Sequence, residues 1–149
     1  MNKTISNLGI AIIVLAIVCA IVGIVFVQQG FSKQNYLVNA MKQEQITLNI
    51  DGQQVVIDNA TKAQKAGDTV REHRHGIAPT YGDLLAGKQF DPTNPKQLTY
   101  AQALNLENYL YLAVATFGLV TVVLGAGAFM IISGIAFGLT GIALIKLGK

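Results

Sequence analysis

The feature that most constrains this chain is an uncharged, mostly apolar run over residues 108–145, between Glu107 and Lys146. As a helix that rises about 1.5 Å per residue, the run would be roughly 57 Å long, whereas the hydrocarbon core of a bilayer is about 30 Å thick. It is therefore long for one membrane span and short for two. With either number of spans, the sequence predicts an integral membrane protein.

A second apolar run covers residues 8–27, and no charge occurs between Lys3 and Lys33. This run has the length of a span, and it ends in bulky and polar residues instead of the small-x-small cleavage site of a signal peptide. We therefore expect an uncleaved transmembrane helix over residues 8–29. The composition agrees, because 52% of the residues are hydrophobic and only 13% are charged, which is unusual for a soluble domain.

The distribution of charge predicts the orientation of the spans. All eight acidic residues lie between positions 44 and 107, whereas the two ends carry only Lys3, Lys146 and Lys149. Lysines beside spans tend to stay in the cytoplasm, so both termini are expected there and the number of spans should be even. A third span, made by a turn within residues 124–128, would also leave backbone groups unpaired in lipid. We predict two spans in the plasma (inner) membrane.

The predicted fold is mainly α, a two-helix transmembrane hairpin with a small extracytoplasmic α+β segment that contains one β-hairpin. A long helix forms the second half of this layout, with an extracytoplasmic part followed by the second span. In chain order the predicted parts are a cytoplasmic N-terminus (1–7), the first transmembrane helix (8–29), the extracytoplasmic segment (30–107), the long helix (108–145) and a cytoplasmic C-terminus (146–149).

Small residues recur every seven positions in both apolar runs, which places them along one side of each helix. In lipid, such a stripe lets two helix backbones approach closely. We expect antiparallel pairing, with Gly9 near Gly148 and Gly30 near Gly127. Residues 108–126 would then stand above the membrane as an apolar helix that needs cover. The predicted helix-packing residues are Gly9, Ala16, Gly23, Gly30, Gly127, Gly134, Gly138, Gly141 and Gly148.

A four-residue spacing of small residues, Gly134 and Gly138, overlaps the second stripe. This spacing is typical of a right-handed contact with another membrane helix, which here would belong to another subunit. Runs this rich in glycine and alanine also produce such spacings by chance. Both interpretations stay open on the sequence alone.

The segment between the spans contains a predicted β-hairpin over residues 45–58. Apolar and polar side chains alternate on both sides of Asp51 and Gly52, which supply a two-residue turn able to take positive φ. The next residues, 59–75, are rich in Ala, Lys, Gln, Arg and Glu, so we expect a surface helix that ends at Gly76. A lone hairpin is marginal and must therefore pack on another element.

The remainder of this segment is predicted from its turn and cap residues. Thr80 opens a short turn or helix, and two prolines and a glycine make residues 87–95 a loop. Thr99 followed by Gln102 matches a capping box, which predicts that the last helix begins there.

The residues that could carry chemistry cluster at Glu72, His73, Arg74 and His75. Two residues apart on a helix, the two histidines point in different directions, and no third metal ligand stands at a recognised spacing. A metal site, a partner contact and a solvated helix end all remain open as interpretations. No catalytic, cofactor-binding or metal residue is predicted, and we do not expect an enzyme. The candidate partner-contact residues are Glu72, His73, Arg74, His75, Tyr81, Tyr109 and Tyr111.

One stretch resembles a known family. Asp68, Val70, Glu72 and His73, followed by Thr80-Tyr81-Gly82-Asp83-Leu84, lie between two spans. This arrangement is similar to that of small bacterial two-span membrane proteins with a Glu-His and Thr-Tyr pattern, often labelled aromatic ring-opening dioxygenases. The resemblance implies the two-span topology. It does not imply the activity, because one short polar segment does not supply the two-His, one-carboxylate set of such iron enzymes.

The leading hypothesis is an accessory or structural subunit that binds partners through its glycine-rich helix faces and its extracytoplasmic segment. One alternative is a self-assembling pore or transporter component, which would need Thr116, Thr121, Ser133 and Thr140 on a common polar face. Another is an extracytoplasmic sensor or binding module. The expected partners are the lipid bilayer and other membrane subunits or copies of this chain. Nucleic acid is not expected, because the positive excess comes from lysines at the termini.

Overall fold

The computed structural model describes residues 2–50 and 52–149 and is mostly helical, with two long apolar helices and a small two-stranded sheet. Its elements are α1 (Lys3–Gln43), β1 (Thr47–Ile50), β2 (Gln53–Val56), α2 (Ala60–Ile77), α3 (Tyr81–Leu85) and α4 (Pro95–Gly148). The chain divides into two compact units. We call residues 2–34 with 119–149 the helix-pair unit, and residues 35–118 the α+β unit.

α1 extends beyond the span expected at residues 8–29 and ends only at Gln43. No glycine or proline occurs in residues 31–43, so nothing in this stretch stops the helix. Lys42 lies in the last turn, where a cation interacts favourably with the helix dipole. Gln45 then takes a positive φ of 49°, which turns the chain toward β1.

α4 begins at Pro95, so the start predicted at Thr99 is wrong. The side-chain oxygen of Asn94 accepts the amides of the second and third helical residues at 3.0 and 3.3 Å. Pro95 occupies the first helical position, where a backbone N–H would have no acceptor within the helix, so proline loses no hydrogen bond there. The pair Asn94 and Pro95 is thus the true start signal, and the capping-box pattern lies inside the helix.

The helix-pair unit contains the first part of α1 and the second part of α4, which run antiparallel. Both helices are long and apolar enough to cross a membrane. α4 continues without a break to Gly148, so the turn within residues 124–128 that a third span requires is absent. The buried residues recur every seven positions: Gly9, Ala16, Gly23 and Gly30 on α1, and Val120, Gly127, Gly134, Gly141 and Gly148 on α4.

The predicted β-hairpin is present in the α+β unit. β1 and β2 pair antiparallel, with Thr47 opposite Val56 and Ile50 opposite Gln53, which leaves a two-residue turn. Gly52 has a φ of +81°, a conformation that glycine adopts without steric cost. Asp51, the other residue of the expected turn, lies outside the described residues.

α2 is capped at both ends by the residues beside it. The side chain of Asn59 accepts the amide of Lys62 at 2.9 Å. The helix continues through Gly76 to Ile77, so the end predicted at Gly76 is wrong. It stops where Ala78 becomes extended, because the residue before a proline is biased away from helical backbone.

The core of the α+β unit forms between α2, α4 and the hairpin. Ile57, Ala63, Ala66, Val70 and Leu110 make one buried cluster. Partly buried apolar residues surround it: Met41, Leu48, Val55, Ala103, Leu106, Ala113 and Val114. α2 is therefore half-buried instead of a surface helix, because its apolar residues recur every three or four positions.

This core corrects the expectation that residues 108–126 stand uncovered. Leu110 is 3% exposed within the α+β unit, and the neighbouring Ala113 and Val114 pack against the same cluster. In the helix-pair unit, Leu124 lies against Gly30. Much of the excess apolar length is thus covered by the chain itself. Tyr109 and Leu112 remain exposed in the α+β unit, at 63% and 61%.

Candidate functional site

The seven-residue stripes bring the backbones of α1 and α4 into contact. A Cβ atom added at Gly9 would lie 2.7 Å from the carbonyl oxygen of Gly141, and one added at Gly23 would lie 2.7 Å from that of Gly127. Both distances are shorter than van der Waals contact allows. Only glycine fits these positions at this helix separation, as in other close helix pairs.

The register of this pairing differs from the expected one by a single seven-residue repeat. The predicted neighbours were Gly9 with Gly148 and Gly30 with Gly127, and both pairs are wrong. Gly148 instead lies against Ser6, with a hypothetical Cβ 2.8 Å from the Ser6 nitrogen. Residues seven apart share one side of a helix, so the periodicity predicts which side packs but not the level at which two helices meet.

Gly134 and Gly138, the candidate contact with another subunit, have different surroundings. A Cβ at Gly134 would lie 2.9 Å from the carbonyl oxygen of Ala16, so Gly134 already belongs to the α1–α4 contact. A Cβ at Gly138 would meet the Ala16 Cβ at an ordinary 3.8 Å. Of the two, Gly138 is the glycine with room for a side chain.

Arg74 is buried between α2 and α4, so it is neither a solvated residue nor an accessible partner contact. Its Nε donates to Glu107 Oε2 at 2.7 Å, and its Nη2 donates to Oε1 at 3.4 Å. The side chains of Arg74 and Glu107 are 9% and 8% exposed. Hydrogen bonding to Glu107 raises the pKa of Arg74 above its usual range. A buried charge requires such a partner, and the pair joins the two helices.

Aromatic rings extend this buried pair. Arg74 Nη1 donates to the hydroxyl of Tyr100, and the guanidinium carbon lies 4.9 Å from the centre of the Tyr100 ring. Tyr81 packs at a tilt against Tyr100, with ring centres 6.1 Å apart. His75 Nε2 lies 3.2 Å from Arg74 Nη2. Among the described residues, every buried side-chain nitrogen and oxygen has a hydrogen-bond partner.

Tyr111 makes a second link between α2 and α4. Its hydroxyl donates to Asp68 Oδ1 at 2.8 Å, and its ring covers Gly67, where a Cβ would lie 3.0 Å from the ring. Hydrogen bonds from Tyr111 and then Gln64 hold the pKa of Asp68 below its usual 3.8. Arg71 lies 5.7 Å from the ring centre and 3.0 Å from the Asp68 carboxylate. This tyrosine is thus engaged within the chain.

Of the remaining candidate contact residues, Glu72, His73 and His75 are exposed on α2, and Tyr81 and Tyr109 are 42% and 63% exposed. No hydrogen bond, ion pair or ring contact joins these described residues to one another: His75 contacts Arg74, and Tyr81 contacts Tyr100. In the described part of the chain, no group of three or more His, Cys, Asp or Glu residues could hold a metal ion.

The spacing of residues on α2 contains a sequence signal for the Arg74–Glu107 pair. Ala63, Ala66 and Val70 recur every three or four residues, and Arg74 continues that spacing. A charge on the apolar side of a helix needs a buried partner. Glu107 is the last charge before the long apolar run and therefore the natural candidate.

Comparisons with known proteins identify no relative. No protein-family model matches the chain, and no curated protein or solved structure is significantly similar to it. The function is therefore argued from the site geometry alone.

Proposed function

We propose that the chain is a small two-span accessory subunit of a plasma (inner) membrane protein assembly. The α+β unit lies on the extracytoplasmic side, and both termini lie in the cytoplasm. The observation that carries this proposal is the length of the exposed apolar band on the helix-pair unit, which exceeds the thickness of a bilayer core.

The exposed large apolar side chains of this unit extend from Leu8 to Phe31 on α1 and from Leu119 to Leu147 on α4, roughly 35 and 42 Å at about 1.5 Å per residue. The hydrocarbon core is about 30 Å thick. Large apolar side chains are exposed toward one end of the band, where Phe31 is 54%, Leu119 is 63% and Val122 is 67% exposed. Tilt alone would have to reach about 40°, the upper end of the usual range. A neighbouring membrane protein that covers this end removes the mismatch.

The lysines support the orientation. The backbone amide of Asn2 donates to the carbonyl of Gly148 at 2.9 Å, so the two ends of the helix pair are adjacent. Lys3, Lys146 and Lys149 therefore lie near one end of the pair. Positive charge beside spans favours the cytoplasmic side.

The hydroxyl groups of α4 favour a subunit over a pore. Thr116 donates to the carbonyl of Leu112 at 2.7 Å, and Thr140 donates to that of Ala136 at 2.9 Å. Both hydroxyl donors are therefore satisfied by carbonyls of the same helix. At about 100° per residue the two threonines point in different directions, so together they do not make a polar lining.

Site-specific photo-crosslinking in native membranes tests the proposal. A benzophenone amino acid at Leu119 or Phe31 should form an adduct with another membrane protein, identifiable by mass spectrometry. The control position is Ile17, which is also 54% exposed but lies in the middle of the apolar band. Adducts should be clearly more abundant at the two test positions. Absence of protein adducts at both, together with a free monomer after mild solubilisation, would contradict the proposed role.

A further inference from the structure

A groove of about 420 Å³ lies on the α+β unit, between the last turns of α1 and the first third of α4. Its floor includes Ala40, Leu110 and Ala113. Leu110 is buried, and the two alanines have small side chains that leave space between the helices. This volume lies within the range of about 300–1,000 Å³ that small-molecule sites occupy.

Two aromatic rings border this groove. Tyr36 on α1 is 68% exposed and Tyr109 on α4 is 63% exposed. Neither makes a hydrogen bond or a ring contact with other described residues. Exposed tyrosines beside an apolar floor are suited to contact the apolar body of an organic ligand through their ring faces.

The charge at the groove is negative. Glu44 is its charged lining residue, and its carboxylate has no ion-pair partner among the described residues. The neighbouring Lys42 contributes to the field at a different carboxylate: the pKa of Asp58 is lowered first by a hydrogen bond from Lys62 and also by the charge of Lys42. Because the Glu44 carboxylate has no ion-pair partner among the described residues, a positively charged ligand complements this groove.

We infer that the groove binds an organic ammonium compound with an apolar body, which places its ammonium group against Glu44 and its body between Tyr36 and Tyr109. α1 ends at Gln43, immediately before Glu44, so Tyr36 and Glu44 are separated by eight residues, roughly 12 Å at about 1.5 Å per residue. A neutral acyl chain would use the floor and the ring faces but gain nothing from Glu44. The inference does not rest on the proposed subunit role.

The test uses the full chain in phosphatidylcholine nanodiscs and the probe 4-phenylbutylammonium, with 4-phenylbutanol as its neutral counterpart. Isothermal titration calorimetry, corrected with empty nanodiscs, measures both affinities. The ammonium compound should bind about fivefold more tightly than the alcohol, the scale of one exposed ionic contact. Glu44→Gln should remove that preference. Glu72→Gln, an equal charge change at an exposed site on α2, should leave it intact.

Two further variants separate groove binding from general attraction. Tyr36→Leu should weaken binding of both probes about threefold, because both place their apolar body against this ring. Ala40→Phe fills the floor and should abolish binding of both probes, with circular dichroism used to verify the fold. The inference is overturned if the ammonium probe does not bind, if the alcohol binds as tightly, or if Glu44→Gln and Glu72→Gln have equal effects.

Discussion

The two units of this protein hold their helices together by different means. In the helix-pair unit, α1 and α4 meet backbone to backbone at glycines such as Gly23 and Gly127. In the α+β unit, α2 and α4 meet through side chains, a small apolar core together with the buried pair Arg74–Glu107 and the Tyr111–Asp68 hydrogen bond.

The difference follows from the solvent that each unit is proposed to face. Lipid is as apolar as a leucine side chain, so apolar burial does not drive helices together there and close packing of small residues decides their association. In water, apolar burial does drive association. The buried apolar cluster of the α+β unit contains only five of the described residues, so polar links contribute more to the position of α2.

The amino-acid composition allows the two units to be measured separately. All five tyrosines lie between residues 36 and 111, inside the α+β unit, so near-ultraviolet circular dichroism of tyrosine reports on that unit. The single cysteine, Cys19, is half-buried in the helix-pair unit, so its alkylation rate reports on that one. A substitution confined to one unit should therefore change one signal and spare the other.

The largest effect is expected for Glu107→Ala. It leaves the Arg74 guanidinium buried without its counterion, a change that typically costs about 3–5 kcal/mol. The free energy of unfolding of the α+β unit, followed by tyrosine circular dichroism in urea, should fall by that amount. Cys19 alkylation should keep its rate under native conditions.

The control for this prediction replaces both partners with apolar residues. Arg74→Met combined with Glu107→Met leaves no buried charge and should recover most of the lost stability. Glu72→Ala, at an exposed position of α2, should change the stability by less than about 0.5 kcal/mol. A loss below about 1 kcal/mol for Glu107→Ala would show that the pair does not hold α2 in place.

The next largest effect is expected in the helix-pair unit. In Gly23→Ala, the added methyl group meets the backbone oxygen of Gly127, which cannot turn aside as a side chain could, so the helices must separate at a cost of about 1–3 kcal/mol. Cys19, one helical turn away, should then react faster with maleimide in detergent micelles. Gly125→Ala is the matched control, because a Cβ there meets nothing within 4 Å. Equal Cys19 rates in both variants would contradict the backbone contact.

Local sequence signals predict much of the fold. The two apolar helices follow from composition, and the hairpin follows from alternation around a glycine that takes positive φ. The start of α4 is harder to predict because two cap patterns compete, and the Asn94–Pro95 pair prevails over Thr99. The apolar run does not predict the extension of α1 to Gln43, because the helix continues through polar residues after the apolar ones end.

The candidate site was less predictable, because its contacts are remote in sequence. Arg74 and Glu107 are 33 positions apart, and nothing local fixes which charges will meet. The glycine stripe indicates which sides of the helices pack but allows registers that differ by whole repeats, so Gly9 meets Gly141 instead of Gly148. The register depends on the packing along the whole length of both helices, and no single motif determines it.

A smaller effect compares two glycines of α2. Gly76→Ala should stabilise the α+β unit by about 0.5–1 kcal/mol, because alanine favours a helix and a Cβ there meets nothing within 4 Å. Gly67→Ala gives the same gain in helix propensity, but its methyl group lies too close to the Tyr111 ring. The hydrogen bond from Tyr111 to Asp68 holds that ring in place. We expect it to be at least about 1 kcal/mol less stable than Gly76→Ala in urea unfolding. Equal stabilisation by both would indicate that the ring moves freely.

The smallest effect is expected for Tyr111→Phe, which keeps the ring over Gly67 and removes only the hydroxyl that donates to Asp68. Stability at neutral pH should fall slightly. The pKa of Asp68 is below its usual 3.8 in the folded chain, so this hydrogen bond contributes fully above that value and is lost as the pH falls through the folded pKa. The stability difference between the parent and Tyr111→Phe should therefore be constant from pH 7 to about pH 5 and shrink toward pH 3. In an Asp68→Asn background, Tyr111→Phe should show no such pH dependence, and a difference that grows in acid would contradict the assigned link.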